Sequence, residues 1–275
     1  MNDIIKKSND MIAKFRYKLS KPQTRLIHYF IGKLRVEDLA FQTYDLPVAE
    51  ILALTGMSSQ GAYNKIKTTA RDLMKKVFTF EEILEGEQVQ KTFAWFSFIQ
   101  YVKGSGAIQV RFDPGLKPYL LQLKSNFTTY PLEYALAMRP NSTRVYEFLK
   151  QASVFKNSKY FDLEDFKRQL QIDEIPTYKE YGSLKRRILL RAKREISAIT
   201  DLKIIKIVDD KKGTRKVQGF TVFFKAQVPP EEKAKEEVKA EVLAEVLKSL
   251  ESSATYDEIL DNFDPDPIIF PEPQK

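Results

Sequence analysis

One ordering of segments occurs twice along this 275-residue chain, and that duplication restricts the fold more than any single motif. In the first copy, Ser20-Lys21-Pro22-Gln23 opens a helix, because Ser20 can accept from first-turn amides and Pro22 needs no donor there. Leu26, Ile27, Phe30, Ile31 and Leu34 follow at helical spacing. Phe41–Leu46 reads as a short strand and Pro47–Gly56 as a short helix stopped by its glycine. Ser58 or Ser59 caps a longer helix over Gln60–Lys76, with Ile66, Ala70, Leu73 and Met74 on its apolar side. Val77–Leu84, Lys91–Val102 and Ala107–Phe112 are rich in aromatic and β-branched residues and are parted by glycine turns. Asp113-Pro114 ends this sheet, and Gly115–Leu123 starts a helix.

The second copy starts with a helix over Thr143–Ser153, then a strand at Tyr160–Leu163 and a helix at Leu163–Leu170 capped by Asp162. A longer, strongly basic helix spans Lys179–Ile199, and strands at Leu202–Val208 and Val217–Lys225 flank the segment Asp209–Lys216. Short helix, tight turn, longer helix and then a hairpin is a helix-turn-helix with a wing. The expected fold is therefore α+β, with two tandem winged-helix domains over residues 1–137 and 138–227. Residues 228–275 form an acidic appendage: a helix over Glu231–Leu250, then a proline-rich and charged tail expected to be disordered.

Charge distinguishes these three parts. Residues 1–137 carry 19 Lys/Arg against 13 Asp/Glu, residues 138–227 carry 21 against 11, and residues 228–275 carry 5 against 13. The formal net charge of +8 thus conceals a body of +16 opposed by a tail of −8. Such a body suits a polyanion, whose phosphates it can neutralise with release of counterions.

Missing residues exclude most chemistry. The chain has no cysteine and a single histidine, His28, in a helical-looking stretch that favours packing over ligation. Thiolate metal sites and the paired histidines of DNA-nicking initiators have no residues to be built from, and any Ser-His-Asp triad would depend on this one histidine. No Gly-x-x-x-x-Gly-Lys-Ser/Thr loop occurs, and the carboxylates Glu81 and Glu82 read as a solvated turn. No cofactor, no metal and no enzymatic activity are expected. With no long apolar run and no secretory signal pattern, a cytoplasmic protein with no membrane association is expected.

The candidate DNA-reading residues lie in three places. In the long second-domain helix, Leu184, Ile188, Ala192 and Ile196 share one face, leaving Ser183, Lys185, Arg186, Arg187, Arg191 and Arg194 for solvent. An apolar back with arginines that can reach guanine edges is what major-groove recognition requires. The wing tip adds Lys211, Lys212, Arg215 and Lys216, suited to phosphates. The corresponding first-domain helix offers Tyr63, Asn64, Lys65, Lys67 and Arg71, a sparser set expected to touch mainly backbone.

These residues resemble the iteron-binding plasmid replication initiator (Rep) family. The likeness spans about Phe15–Phe224 and rests on Ala62-Tyr63-Asn64-Lys65-Ile66-Lys67, Leu116-Lys117-Pro118-Tyr119-Leu120 and Phe127-Thr128-Thr129-Tyr130. It continues through Arg144-Val145-Tyr146-Glu147-Phe148-Leu149, Leu184-Lys185-Arg186-Arg187-Ile188 and Thr214-Arg215-Lys216-Val217. The resemblance implies binding of directly repeated double-stranded DNA at an origin as a monomer. It also implies a homodimer, formed through the first domain, that represses its own promoter, and cooperation with the host initiator and replicative helicase without strand cleavage. Two departures stand out. Leu190-Arg191 replaces an Asp-Pro step in the recognition helix, and Arg139-Pro140-Asn141-Ser142 replaces a Ser-x-Tyr-Ser turn before the second domain. The rival readings are a repressor without initiation activity, a nicking or strand-transfer enzyme, and a scaffold for acidic proteins.

Overall fold

The computed structural model describes residues 4–35, 37–55, 62–84, 86–101, 107–211, 213 and 216–229. The acidic helix and tail expected beyond residue 229 lie outside them. The described residues begin with a strand, β1 (Ile4–Ser8), and a short helix, α1 (Asn9–Lys14), capped by Ser8. The sequence reading missed β1. Its Ile5 and Lys7 point inward together, so the alternation is disguised by a lysine that is fully buried. Helix α2 (Lys21–Gly32) carries the full capping box: Ser20 accepts the Gln23 amide, and the Gln23 side chain accepts the Ser20 amide at 2.9 Å.

The first winged helix follows: β2 (Tyr44–Pro47), α3 (Val48–Thr55), α4 (Ala62–Met74), β3 (Val77–Leu84), β4 (Glu87–Ala94), β5 (Phe96–Tyr101) and β6 (Ala107–Phe112). The run read as one strand over Lys91–Val102 is broken by Trp95, whose ring is buried and whose carbonyl accepts the Asp113 amide. This yields two hairpins instead of one. β3 and β4 pair with each other, while β5 and β6 join β2 in a three-stranded sheet of order β2-β6-β5. The wing of the first domain is therefore β5–β6, and its tip, residues 102–106, lies outside the described set. The extra hairpin packs its aromatics on Phe15, which stacks on Phe80 at 4.6 Å and meets Phe78 at 5.0 Å. Tyr119 closes this cluster from the short helix α5 (Lys117–Leu120). One expectation fails on α4, where Ile66, Ala70 and Leu73 are buried but Met74 is 38% exposed. β7 (Phe127–Pro131) then pairs antiparallel with β1 and leads into α6 (Leu132–Ala137).

After α7 (Pro140–Ala152) come β8 (Ser158–Asp162), α8 (Leu163–Gln169), α9 (Tyr181–Leu184), α10 (Leu190–Ile199), β9 (Leu202–Asp210) and β10 (Gly219–Ala226), which carry the second winged helix. Asp162 caps α8 as expected, accepting the Glu164 and Asp165 amides. The strands form an antiparallel sheet of order β8-β10-β9, and Phe161, Phe166 and Phe220 interlock beneath it. Gly219 is obligatory in β10, since a Cβ there would lie 2.3 Å from the Tyr160 hydroxyl and 2.6 Å from the Phe161 carbonyl oxygen. No helix among the described residues is long and apolar enough to cross a membrane.

A charged cluster joins α7 to the N-terminal elements. Glu147, fully buried, accepts from Lys7 and Arg144, both at 2.7 Å, and from the Tyr130 hydroxyl. Arg144 also donates to the carbonyls of Ile12 and Phe15. Burial alone would raise the Glu147 pKa, but the adjacent Lys7 and its hydrogen bonds hold it well below the usual carboxylate range. His28 sits on the same cluster, with Nδ1 2.7 Å from the Thr24 carbonyl and Nε2 3.0 Å from the Lys7 ammonium. Burial, reinforced by Lys7, lowers its pKa; Nδ1 faces a carbonyl that can only accept, and Nε2 lies between Lys7 and, at 3.3 Å, Glu147. The lone histidine is a packed core residue.

Candidate nucleic-acid interface

The long basic helix is a single rod made of α9, a π-helical turn over Lys185–Leu189, and α10. The wide turn lets two adjacent residues, Ile188 and Leu189, both reach the core, alongside Leu184, Ala192 and Ile196. On the opposite side Arg186, Arg187 and Arg194 are exposed, Leu190 is 48% exposed, and Ser183 and Arg191 are half-buried. Among the described residues, Arg186, Arg187, Arg191 and Arg194 make no hydrogen bond or ion pair. Four guanidiniums without internal partners thus lie on one helix whose other face is anchored.

The wing-side flank of this helix differs. Lys185 binds Asp209 at 2.7 Å, Tyr181 donates to the same carboxylate at 2.5 Å, and Lys193 donates to the Ile205 carbonyl at 2.8 Å. Partial burial would raise the Asp209 pKa, but hydrogen bonds from Lys185 and Tyr181 lower it below the usual range. Lys185, expected as a DNA contact, is paired with Asp209 and ties the helix to the base of the wing. Lys211 and Lys216 are exposed on that wing, where Gly213 adopts a φ of 74° that turns the tip. Lys212 and Arg215 lie outside the described residues.

On the first-domain helix α4, Asn64 and Arg71 are exposed and Lys67 is half-buried. The side chains of Tyr63 and Lys65 lie outside the described set. Asp72 is exposed on the same helix, so its field is weaker than that of the second-domain helix. Two cations escaped the sequence reading. Lys18, just before α2, and Arg139, just before α7, stand near the arginine face; Arg139 reaches Glu195 through its amide at 2.9 Å and its Nε at 3.5 Å. The signal available in sequence was the basic Arg139-Pro140 entry to a helix. Among the described residues, no group of three His, Cys, Asp or Glu side chains is placed to hold a metal ion.

Comparison with known proteins places the chain in a family. The model described as "Initiator Replication protein, WH1" matches residues 4–150, and that described as "Initiator Rep protein, WH2" matches residues 162–224. Among solved structures, the Pi initiator protein in complex with iteron DNA superposes with a TM-score of 0.63 at 19% identity, covering 82% of this chain and 98% of that one. Domains 2 and 3 of RctB align with a TM-score of 0.46 at 14% identity, covering 76% of this chain and 82% of theirs. With paired WH1 and WH2 matches spanning most of its length, the chain belongs to the family of initiator replication proteins, DNA-binding replication initiators built from two winged-helix domains.

Proposed function

We propose that this chain initiates replication by binding repeated double-stranded DNA sites at an origin, with the second domain reading sequence and the first gripping the backbone. The observation that carries this reading is the face of four arginines without partners among the described residues on the helix Tyr181–Ile199. A guanidinium offers two parallel donors that match guanine O6 and N7, a pattern distinct from every other base pair in the major groove. Asn64 and Arg71 on α4 and the wing lysines, all exposed, suit phosphates, which position the protein without reading sequence. The solved Pi initiator is bound to iteron DNA, and its likeness in fold supports the same class of ligand here.

The role is binding and remodelling, without strand cleavage. Incubation with supercoiled plasmid and a divalent metal is expected to leave the plasmid intact; a nicked product would overturn this part. The family resemblance extends the proposal to a homodimer, formed through the first domain, that represses its own promoter, and to the host initiator and replicative helicase as partners. Sedimentation with and without DNA tests the dimer. Initiation is tested by transforming a plasmid whose only replication source is this gene and its flanking DNA. Colonies are expected, and their absence alongside intact DNA binding would leave a repressor.

A further inference from the structure

Between the two domains lies a cleft of about 550 Å³, open to solvent beside the arginine face. Lys18 borders it from the first domain, Arg139 from the entry to α7, and Arg186, Arg187 and Arg191 from the recognition helix, with Tyr178 at one wall. Five cations thus converge on one concavity. Among the described residues Glu195 pairs with Arg139, whose side chain remains 60% exposed, while the ammonium of Lys18 is exposed and has no partner. Like charges held this close repel one another and focus a positive potential in the concavity. The ligand that relieves this repulsion is anionic, presents several acceptor oxygens and fits an open groove, which describes a phosphate.

We propose that this interdomain cleft seats a phosphodiester of the bound DNA, so that one backbone segment is clamped by both domains together. The proposal rests on the DNA-binding reading above and adds a contact that neither domain makes alone: Lys18 belongs to the first domain and Arg191 to the second. Such a contact carries affinity and fixes how the domains are placed on the duplex, but it reads no base. It also gives the Arg139-Glu195 pair a purpose, since that pair ties the recognition helix to the same junction.

The test uses the full chain and a duplex selected by it from a random-sequence pool. In the double variant Lys18→Gln/Arg139→Gln, affinity is expected to fall by the same factor on selected and scrambled duplexes. The slope of log K against log salt should shrink by about 1, the signature of one lost phosphate. Scanning the selected duplex with single methylphosphonates is expected to reveal one position that weakens wild type but not the double variant. The thermal midpoint should fall no further than the loss of one exposed ion pair allows, and Lys117→Gln/Lys124→Gln, with the same change of charge outside the cleft, should retain that position's sensitivity. A wild-type slope and a wild-type methylphosphonate profile in the double variant would overturn the clamp while leaving DNA recognition intact. Failure of wild type to prefer its selected duplex would instead overturn the underlying reading. Pyrophosphate serves as the probe for a free ligand. If it raises the wild-type thermal midpoint but not that of the double variant, while the methylphosphonate scan is flat, the cleft takes a free polyphosphate and the DNA seat is wrong.

Discussion

Arg144 and Arg187 sit on two different helices and illustrate opposite uses of one side chain. Arg144 is 4% exposed and bonds to Glu147 and two backbone carbonyls. Arg187 is exposed and has no partner among the described residues. The first is part of the body's architecture: with Lys7 and Glu147 it fastens α7 to β1 and to the segment after α1. The second has no structural employment, so its desolvation and pairing are left for a ligand. Counting charges does not separate these cases; pairing and burial do.

The largest effect expected from this contrast is on stability. Glu147→Gln leaves Lys7 and Arg144 buried without their carboxylate, a change worth about 3–5 kcal/mol, read by denaturant unfolding. A loss under 1 kcal/mol would mean that the cluster is solvated in solution. Arg187→Ala should do the reverse: an unchanged unfolding midpoint with about 1–3 kcal/mol less affinity for the selected duplex.

The pH response comes next in size. Both His28 and Glu147 have folded pKa values below their ordinary ones, so at low pH the unfolded state binds more protons than the folded. Stability is therefore full above the ordinary histidine value of 6.5 and declines as pH falls, first through His28 and then, below 4.5, through Glu147. The His28 part has a limiting slope of about 1.4 kcal/mol per pH unit. His28→Gln should flatten the curve between pH 6.5 and 4.5; an unaltered curve would remove His28 from the account. The smallest effect is expected at Lys185→Gln. Its partly exposed pair with Asp209 contributes about 1 kcal/mol or less, and DNA affinity should fall less than in Arg187→Ala. An equal loss would return Lys185 to the reading face.

Much of this was legible in the sequence because each winged helix repeats local signals: the Ser20 cap, the Asp162 cap, the helical spacing of Ile188, Ala192 and Ile196. The arginine face followed from the same spacing. What was not legible depends on distant partners. Lys7 looks like a surface residue until Glu147, 140 positions later, is placed beside it. Lys185 looks like its neighbour Arg186 until Asp209 is seen at the wing base. Trp95 reads as mid-strand because an unbroken apolar run does not show where a chain turns from one hairpin into the next. Lys18 and Arg139 gain meaning only when two domains bring them together.

The central claim is that the unpartnered arginines read bases, and the most direct test is discrimination rather than affinity. The ratio of affinities for the selected duplex and for one with its guanines substituted should be measured for wild type and Arg187→Ala. A fall in that ratio of about tenfold or more is predicted, equivalent to 1.4 kcal/mol lost only on the correct sequence. An unchanged ratio, with both affinities falling together or not at all, would show that this face meets phosphate alone and would contradict the account.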